Sequence, residues 1–77
     1  MQPYTEEDKK WLLDNEFNAE DAYYNWCCDR SNDVYVNILW DGKKYLIDIF
    51  EGQQESSWQT HSFKHLKYII NDWFKDL

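Results

Sequence analysis

The sequence predicts a small α+β protein, a single domain over residues 1–77, in which three antiparallel strands form a meander that packs against helices. Two observations carry this prediction. Two runs of alternating apolar residues flank Asp41-Gly42, a dipeptide typical of hairpin turns. After Ser62, apolar residues repeat at helical spacing, which predicts an amphipathic C-terminal helix. The chain has 77 residues, the usual size of one small domain.

The first helix is predicted to begin after Thr5 and to end near Asn15. Thr5 can act as the N-cap, because its side-chain oxygen can accept a hydrogen bond from an amide of the first turn. Residues 6–8 are all acidic, and carboxylates are stabilised by the positive end of the helix dipole. Trp11 and Leu12 supply the apolar stripe, which would extend to residues 11–13 if Leu13 joined it, so we expect this helix to pack on the core.

The segment from Phe17 to Arg30 allows two interpretations. Its apolar residues recur at helical spacing, and Asn18 followed by Asp21 is similar to a capping box, which favours a second helix. The run Tyr-Tyr-Asn-Trp-Cys-Cys contains many residues that prefer strands, which favours a strand over Tyr23–Asp29 instead. We expect the helix, so that the N-terminal part is a helical pair, with the strand as the alternative.

The central hairpin is predicted from strands at Val34–Trp40 and Lys43–Phe50. A two-residue type I′ turn at Asp41-Gly42 would pair Trp40 with Lys43. One face of the hairpin is then apolar and should join the core, with Val34, Val36, Ile38, Tyr45, Ile47 and Ile49. The other face is mixed and is either partly solvated or a contact surface, with Tyr35, Asn37, Leu39, Lys44, Leu46 and Asp48.

The C-terminal part is predicted to be a turn over residues 51–55, a third strand at Ser57–His61 and a helix capped by Ser62. The helix presents an apolar stripe made of Phe63, Leu66, Ile70, Trp73, Phe74 and Leu77. We expect this stripe to cover the apolar face of the sheet, since an isolated hairpin is only marginally stable in water.

The cysteine pattern and the N-terminus predict a cytoplasmic protein. Cys27 and Cys28 are adjacent, and a disulfide that closes no loop removes little entropy from the unfolded chain. A chain without a disulfide framework is typical of a reducing compartment. The N-terminal residues include three consecutive acids where a signal peptide would be apolar, and no apolar run is long enough for a membrane span.

No residue pattern predicts catalysis, a metal site or a cofactor. His61 and His65 are four residues apart, but a cap at Ser62 would leave His61 outside the helix. Together with Cys27 and Cys28 they do not show the ligand spacing of a zinc site. Both glycines are assigned to turns, and no phosphate-binding loop is present in the sequence. We therefore expect a non-catalytic protein that binds no metal and no cofactor.

The negative charge is concentrated in the first half of the chain. The net charge is −7, and residues 1–33 hold nine acidic and three basic residues whereas residues 34–77 hold six and five. Such a field repels nucleic acids and anionic membranes and attracts basic surfaces. Ordinary solubility is the simpler explanation of the acidity.

The five Trp, six Tyr and four Phe are more than a minimal core needs, and exposed aromatic side chains often anchor interfaces.

Charge and aromatic content together predict an inhibitor or regulator that blocks a basic, nucleic-acid-handling protein by occupancy. DNA-mimic inhibitors of restriction or CRISPR enzymes, carried by phages and other mobile elements, have a similar size and charge, but this likeness is compositional and identifies no family. The predicted contact residues are acids along one side together with aromatic anchors: Glu6, Glu7, Asp14, Glu16, Glu20, Asp21, Asp29, Asp33, Tyr23, Trp26, Tyr35 and Trp40.

Two other classes of protein fit the same sequence. The first is an antitoxin-type immunity protein that caps the active site of a toxin. The second is a structural module that forms a homodimer through the mixed face of the hairpin or through an exposed edge strand. The sequence does not distinguish a monomer from a homodimer.

Overall fold

The computed structural model describes residues 3–21, 24–30 and 33–74, and these residues form two helices and one five-stranded antiparallel sheet. The helices are α1 (Glu6–Asp14) and α2 (Phe63–Phe74). The strands are β1 (Asn18–Asp21), β2 (Asn25–Arg30), β3 (Val34–Trp40), β4 (Tyr45–Glu51) and β5 (Gln54–Thr60). Each strand pairs with the next one along the chain. The predicted α+β class is confirmed, but the sheet has five strands and not three.

Helix α1 begins and ends where the sequence predicts. The Thr5 side chain accepts a hydrogen bond from the Asp8 amide, and the Asp8 carboxylate accepts one from the Thr5 amide, each 3.0 Å long. This reciprocal pair is a capping box, which satisfies two amides that the helix itself leaves without partners. Leu12 is fully buried whereas Leu13 is exposed, so the apolar stripe is narrower than residues 11–13.

The segment after α1 forms two strands, and the expected second helix is wrong. β2 pairs with β1 on one side and, along all six of its residues, with β3 on the other. Trp26 and Cys28 are buried whereas Cys27 and Asp29 are not, which is the two-residue period of a strand. The apolar residues of this segment are also spaced as in a helix. The segment nevertheless forms strands, because its residues prefer the β conformation and β2 gains backbone hydrogen bonds by pairing with β3. The alternative strand at Tyr23–Asp29 is close to β2, although Tyr23 lies outside the described residues.

The central hairpin has a longer loop than the sequence predicts. Trp40 pairs with Tyr45, so residues 41–44 form a four-residue loop and the predicted two-residue turn is wrong. The Asp41 carboxylate accepts hydrogen bonds of 2.9 Å from two amides of this loop, which stabilises the wider turn. The pairing is shifted by two residues from the predicted register. A shift of two residues leaves every side chain that remains in the paired strands on its predicted face, and the apolar face is buried as expected.

The core lies between one face of the sheet and both helices. Phe63 of α2 contacts Tyr4 of the N-terminal segment and Trp11 of α1, with ring centroids 6.1 and 5.8 Å apart. Tyr4 also contacts Trp26 and Tyr45, which point inward from the sheet. Both helices therefore lie on the same side of the sheet. We call the opposite side the open face, since no other described element packs on it.

The C-terminal helix begins where the sequence predicts, but the predicted turn over residues 51–55 is wrong, since β4 extends to Glu51 and leaves residues 52–53 between the strands. The Ser62 hydroxyl accepts a hydrogen bond from the His65 amide at 3.3 Å, so Ser62 caps α2 as expected. The third predicted strand corresponds to β5, which begins earlier, at Gln54. Leu77, placed in the apolar stripe by the sequence, lies outside the described residues. Neither helix in the described parts of the chain combines the length and apolar character needed to cross a membrane.

Candidate protein-binding surface

The open face presents its side chains in three rows that cross strands β2 to β5. The pairing register fixes which residues stand side by side. The first row consists of Asp29, Tyr35, Phe50 and Glu55. The second row consists of Cys27, Asn37, Asp48 and Ser57. The third row consists of Asn25, Leu39, Leu46 and Gln59.

The first row is an aromatic pair with a carboxylate at each end. The ring centroids of Tyr35 and Phe50 are 6.1 Å apart, and both side chains are half-buried. Asp29 and Glu55 are exposed at the two ends of the row. Neighbouring strands lie about 4.8 Å apart, so the backbones of the two acidic residues are about 14 Å apart. This row offers an apolar centre and a charged rim, the arrangement typical of a protein interface.

All charged side chains at open-face positions of the described strands are acidic. No lysine or arginine occupies such a position. The four carboxylates are those of Glu20, Asp29, Asp48 and Glu55. The third row adds apolar area, because Leu39 is 37% exposed beside the half-buried Leu46. Lys44, which the predicted register placed on this face, instead lies in the loop 41–44.

A hydrogen-bonded cluster occupies the β1 side of the open face. The Cys27 thiol donates to the Glu20 carboxylate, with Sγ and Oε1 3.3 Å apart. Burial, and after it this hydrogen bond, raises the pKa of the Cys27 thiol. Burial also raises the pKa of Tyr35 to about 12, with smaller contributions from Cys27 and Glu20. A thiol with a raised pKa is a poor nucleophile, so this cluster does not favour a reactive cysteine.

The acidic residues predicted to form one row lie on different parts of the molecule. Four of them belong to α1 and the residues just after it, on the covered side of the sheet: Glu6, Glu7, Asp14 and Glu16. Glu20 and Asp29 lie on the open face, and the exposed Asp33 precedes β3. Asp21 ends β1, and its side chain lies outside the description. The structure therefore does not bring these eight acids together.

The predicted aromatic anchors are also divided. Tyr35 lies on the open face, in the first row. Trp26 is 4% exposed, so the expectation that its ring is available at the surface is wrong; its strand position points into the core. Trp40 is half-buried at the end of β3, with its ring centroid 4.8 Å from that of Tyr45. Tyr23 lies outside the described residues.

Sequence reasoning missed two residues of the first row, Phe50 and Glu55. The signal for Phe50 was present, because the alternation along β4 puts it on the same face as Asp48. Glu55 was assigned to a turn, whereas β5 begins at Gln54 and pairs Glu55 with Phe50. The first row can be recognised only when β5 is known to begin at Gln54 and not at Ser57.

A groove of about 270 Å³ lies between β5 and α2 and is lined by Trp58, Gln59, His65, Tyr68, Ile69, Asp72 and Trp73. The Nδ1 atom of His65 lies 3.0 Å from the Thr60 hydroxyl. His65 and Asp72 are seven residues apart on α2, or about 10 Å along its axis, so the groove does not unite them as an acid–base pair. Nowhere in residues 3–21, 24–30 and 33–74 do three His, Cys, Asp or Glu side chains gather to hold a metal ion.

Comparison with known proteins assigns no family to this chain. No family model, no curated protein and no solved structure matches it. The chemistry of the open face is therefore the basis on which a function can be proposed.

Proposed function

We propose that the protein is a non-catalytic inhibitor or regulator that binds a basic surface of a nucleic-acid-handling protein through the open face of its sheet. The observation that carries this proposal is the first row, in which Tyr35 and Phe50 stand between Asp29 and Glu55. The chain blocks its partner by covering the surface on which the partner holds nucleic acid.

The apolar centre of the open face supplies the anchor. Aromatic side chains dominate the binding energy of many interfaces, because they offer a large and rigid apolar area. Tyr35 and Phe50 already contact each other in the free protein, so little side-chain freedom is lost when a partner covers them. Leu39 and Leu46 extend the apolar area in the third row.

The carboxylates of the open face supply charge complementarity. An extended basic patch is the electrostatic mark of a protein that binds nucleic acid. Acidic residues around an apolar centre attract such a patch, accelerate the encounter at low salt and disfavour acidic partners. The uniform sign of the open face is consistent with this class of partner and with repulsion of nucleic acid itself.

The acids on α1 contribute less to such a complex than those of the open face. They lie on the far side of a domain whose shortest dimension is 20 Å. The Debye length is about 8 Å at physiological ionic strength, so charges that far from the contact are largely screened. We therefore assign the electrostatic contribution to Glu20, Asp29, Asp48 and Glu55 rather than to the N-terminal acids.

The proposal is tested by capture from a lysate of the native host, with the immobilised chain washed at low salt and then eluted with duplex DNA. We expect a nucleic-acid-binding protein that duplex DNA displaces and that high salt weakens. Capture should fall by about 30-fold or more for Tyr35→Ala, the loss expected at an interface hot spot. The control is Leu13→Ala, which removes an exposed apolar side chain on α1, away from both the open face and the β5 edge. A captured protein that duplex DNA does not displace, or that both variants lose equally, would overturn the proposal.

A further inference from the structure

The two edges of the sheet are built differently. β1 is four residues long, and its pairing with β2 shifts register between Ala19 and Asp21. Short length and irregular pairing are common devices that prevent an edge strand from pairing with another chain. The β1 edge is therefore protected.

The β5 edge lacks these devices. β5 pairs with β4 without interruption along all seven of its residues, Gln54 to Thr60, and it is the last strand of the described sheet. It contains one charged residue, Glu55, and neither proline nor lysine. A long, regular and nearly neutral edge presents backbone N–H and C=O groups on which a further strand can form.

An apolar strip runs beside this edge. The groove between β5 and α2 is lined by Trp58 from the strand and by Tyr68, Ile69 and Trp73 from the helix. Tyr68 is 66% exposed, which is the largest exposure of any large hydrophobic side chain in the described parts of the chain. The backbone edge and the apolar strip are independent features, and a strand added at β5 would use both.

We infer that β5 pairs antiparallel with β5 of a second copy of this chain, so that two five-stranded sheets become one continuous sheet. The register that keeps the whole strand paired is centred on Ser57, and it places Glu55 opposite the partner's Gln59. A two-fold axis perpendicular to the sheet keeps both α2 helices on the same face. Tyr68 of each copy then stands at the junction between the two grooves.

Charge favours a second copy as the occupant of this edge. The chain carries a net charge of −7, and most of its surfaces would repel an identical surface. On β5 the single carboxylate faces a neutral amide across the axis, so the paired strands themselves bring no like charges into opposition; the remaining acid beside this edge is Asp72, on the α2 side of the groove. A two-fold contact is also self-complementary and closes after two copies, which prevents growth into a fibre. The open face remains uncovered, so this inference is independent of the proposed function.

Residue 59 provides the test, because it is exposed and stands opposite Glu55 across the axis. Gln59→Glu would place two carboxylates opposite each other twice in the dimer, and Gln59→Lys would create two opposite-charge pairs. Each cross-strand charge pair changes stability modestly, so we expect the dimer dissociation constant to rise by about 2- to 30-fold for Gln59→Glu and to fall for Gln59→Lys. Lys10→Gln and Glu7→Gln, on α1, change the net charge equally and serve as controls.

The measurement is sedimentation equilibrium of the full chain up to millimolar concentration. A dimer that Gln59→Glu weakens, Gln59→Lys strengthens and both controls leave unchanged would support the β5 interface. A monomer at every concentration would overturn the inference and leave the edge to a strand of another protein. A dimer that responds equally to both changes at residue 59, or to neither, would also overturn it.

Discussion

The Cys27 thiol donates a hydrogen bond to the Glu20 carboxylate, with Sγ and Oε1 3.3 Å apart, and this contact links the short edge strand β1 to β2. The same Glu20 carboxylate accepts a hydrogen bond from the side chain of Asn25 at 3.4 Å. One carboxylate thus connects both strands on the open face, while its negative charge opposes ionisation of the neighbouring thiol.

Replacing Glu20 should make Cys27 more acidic. Burial is the larger cause of the raised thiol pKa, and Glu20 adds to it through the hydrogen bond and through its charge. Glu20→Gln removes the charge and should lower the thiol pKa, so alkylation at a fixed pH below that pKa becomes faster. The rate is measured against pH in a Cys28→Ala background, so that one thiol reacts. Asp14→Asn, an equal charge change on α1, is the control, and a titration that Glu20→Gln does not move would contradict the assigned cause.

Truncation of Leu12 tests the position of α1 against the core. Leu12 is fully buried and its neighbour Leu13 is 61% exposed, so the two form a matched pair. Leu12→Ala should lower the free energy of unfolding by about 2–5 kcal/mol. Leu13→Ala should change it by less than about 0.5 kcal/mol, as surface substitutions usually do. Urea denaturation measures both values, and equal losses would show that α1 does not pack as described.

Alkaline pH should destabilise the fold through Tyr4. The Tyr4 hydroxyl donates a 3.1 Å hydrogen bond to the Tyr24 carbonyl, and burial raises the pKa of this phenol well above its usual range. The unfolded chain loses this proton near pH 10, about the usual value for tyrosine, while the folded chain keeps it. The folded state then binds more protons, so the free energy of unfolding falls as the pH rises above about 10.

Tyr4→Phe separates this contribution from the rest. At neutral pH we expect a loss of about 0.5–1.5 kcal/mol from the missing hydrogen bond. Above pH 10 the variant should lose stability less steeply than the wild type, because one buried titrating group is gone. Tyr68→Phe, which removes an exposed hydroxyl, is the control. Parallel pH profiles for Tyr4→Phe and the wild type would contradict the role given to this phenol.

The elements whose apolar residues follow a single period, either that of a strand or that of a helix, were predictable from sequence. The segment from Phe17 to Arg30, which fits both periods, was not. The alternation in β3 and β4 assigned the core face correctly even though the loop is two residues longer, because a two-residue shift preserves the faces. The Asp41-Gly42 dipeptide indicates a turn but not its length, which depends on the bonds from Asp41 to the loop amides. The segment at β1 and β2 fits both periods, and its pairing with β3 decides between them.

The candidate surface could be predicted only in part for the same reason. Tyr35 and Asp29 were named as contact residues, and the structure places them side by side. Phe50 and Glu55 join them through strand pairing, which depends on register and cannot be read from charge or composition. Trp26 was wrongly expected at the surface, because a helix prediction for its segment did not establish which side of the segment is buried. In β2 its side chain points into the core.

The central claim, that the open face binds a basic partner, is tested most directly by comparing two double variants that change the net charge equally, one on each side of the sheet. Asp29→Lys with Glu55→Lys reverses both ends of the first row. Glu7→Lys with Asp14→Lys reverses two exposed acids on α1. The measurement is the association rate with the nucleic-acid-binding protein that the wild-type chain captures, at low ionic strength. The account predicts that the first variant associates at least about tenfold more slowly while the second stays close to wild type. Equal slowing of both variants, or none in the first, would contradict it.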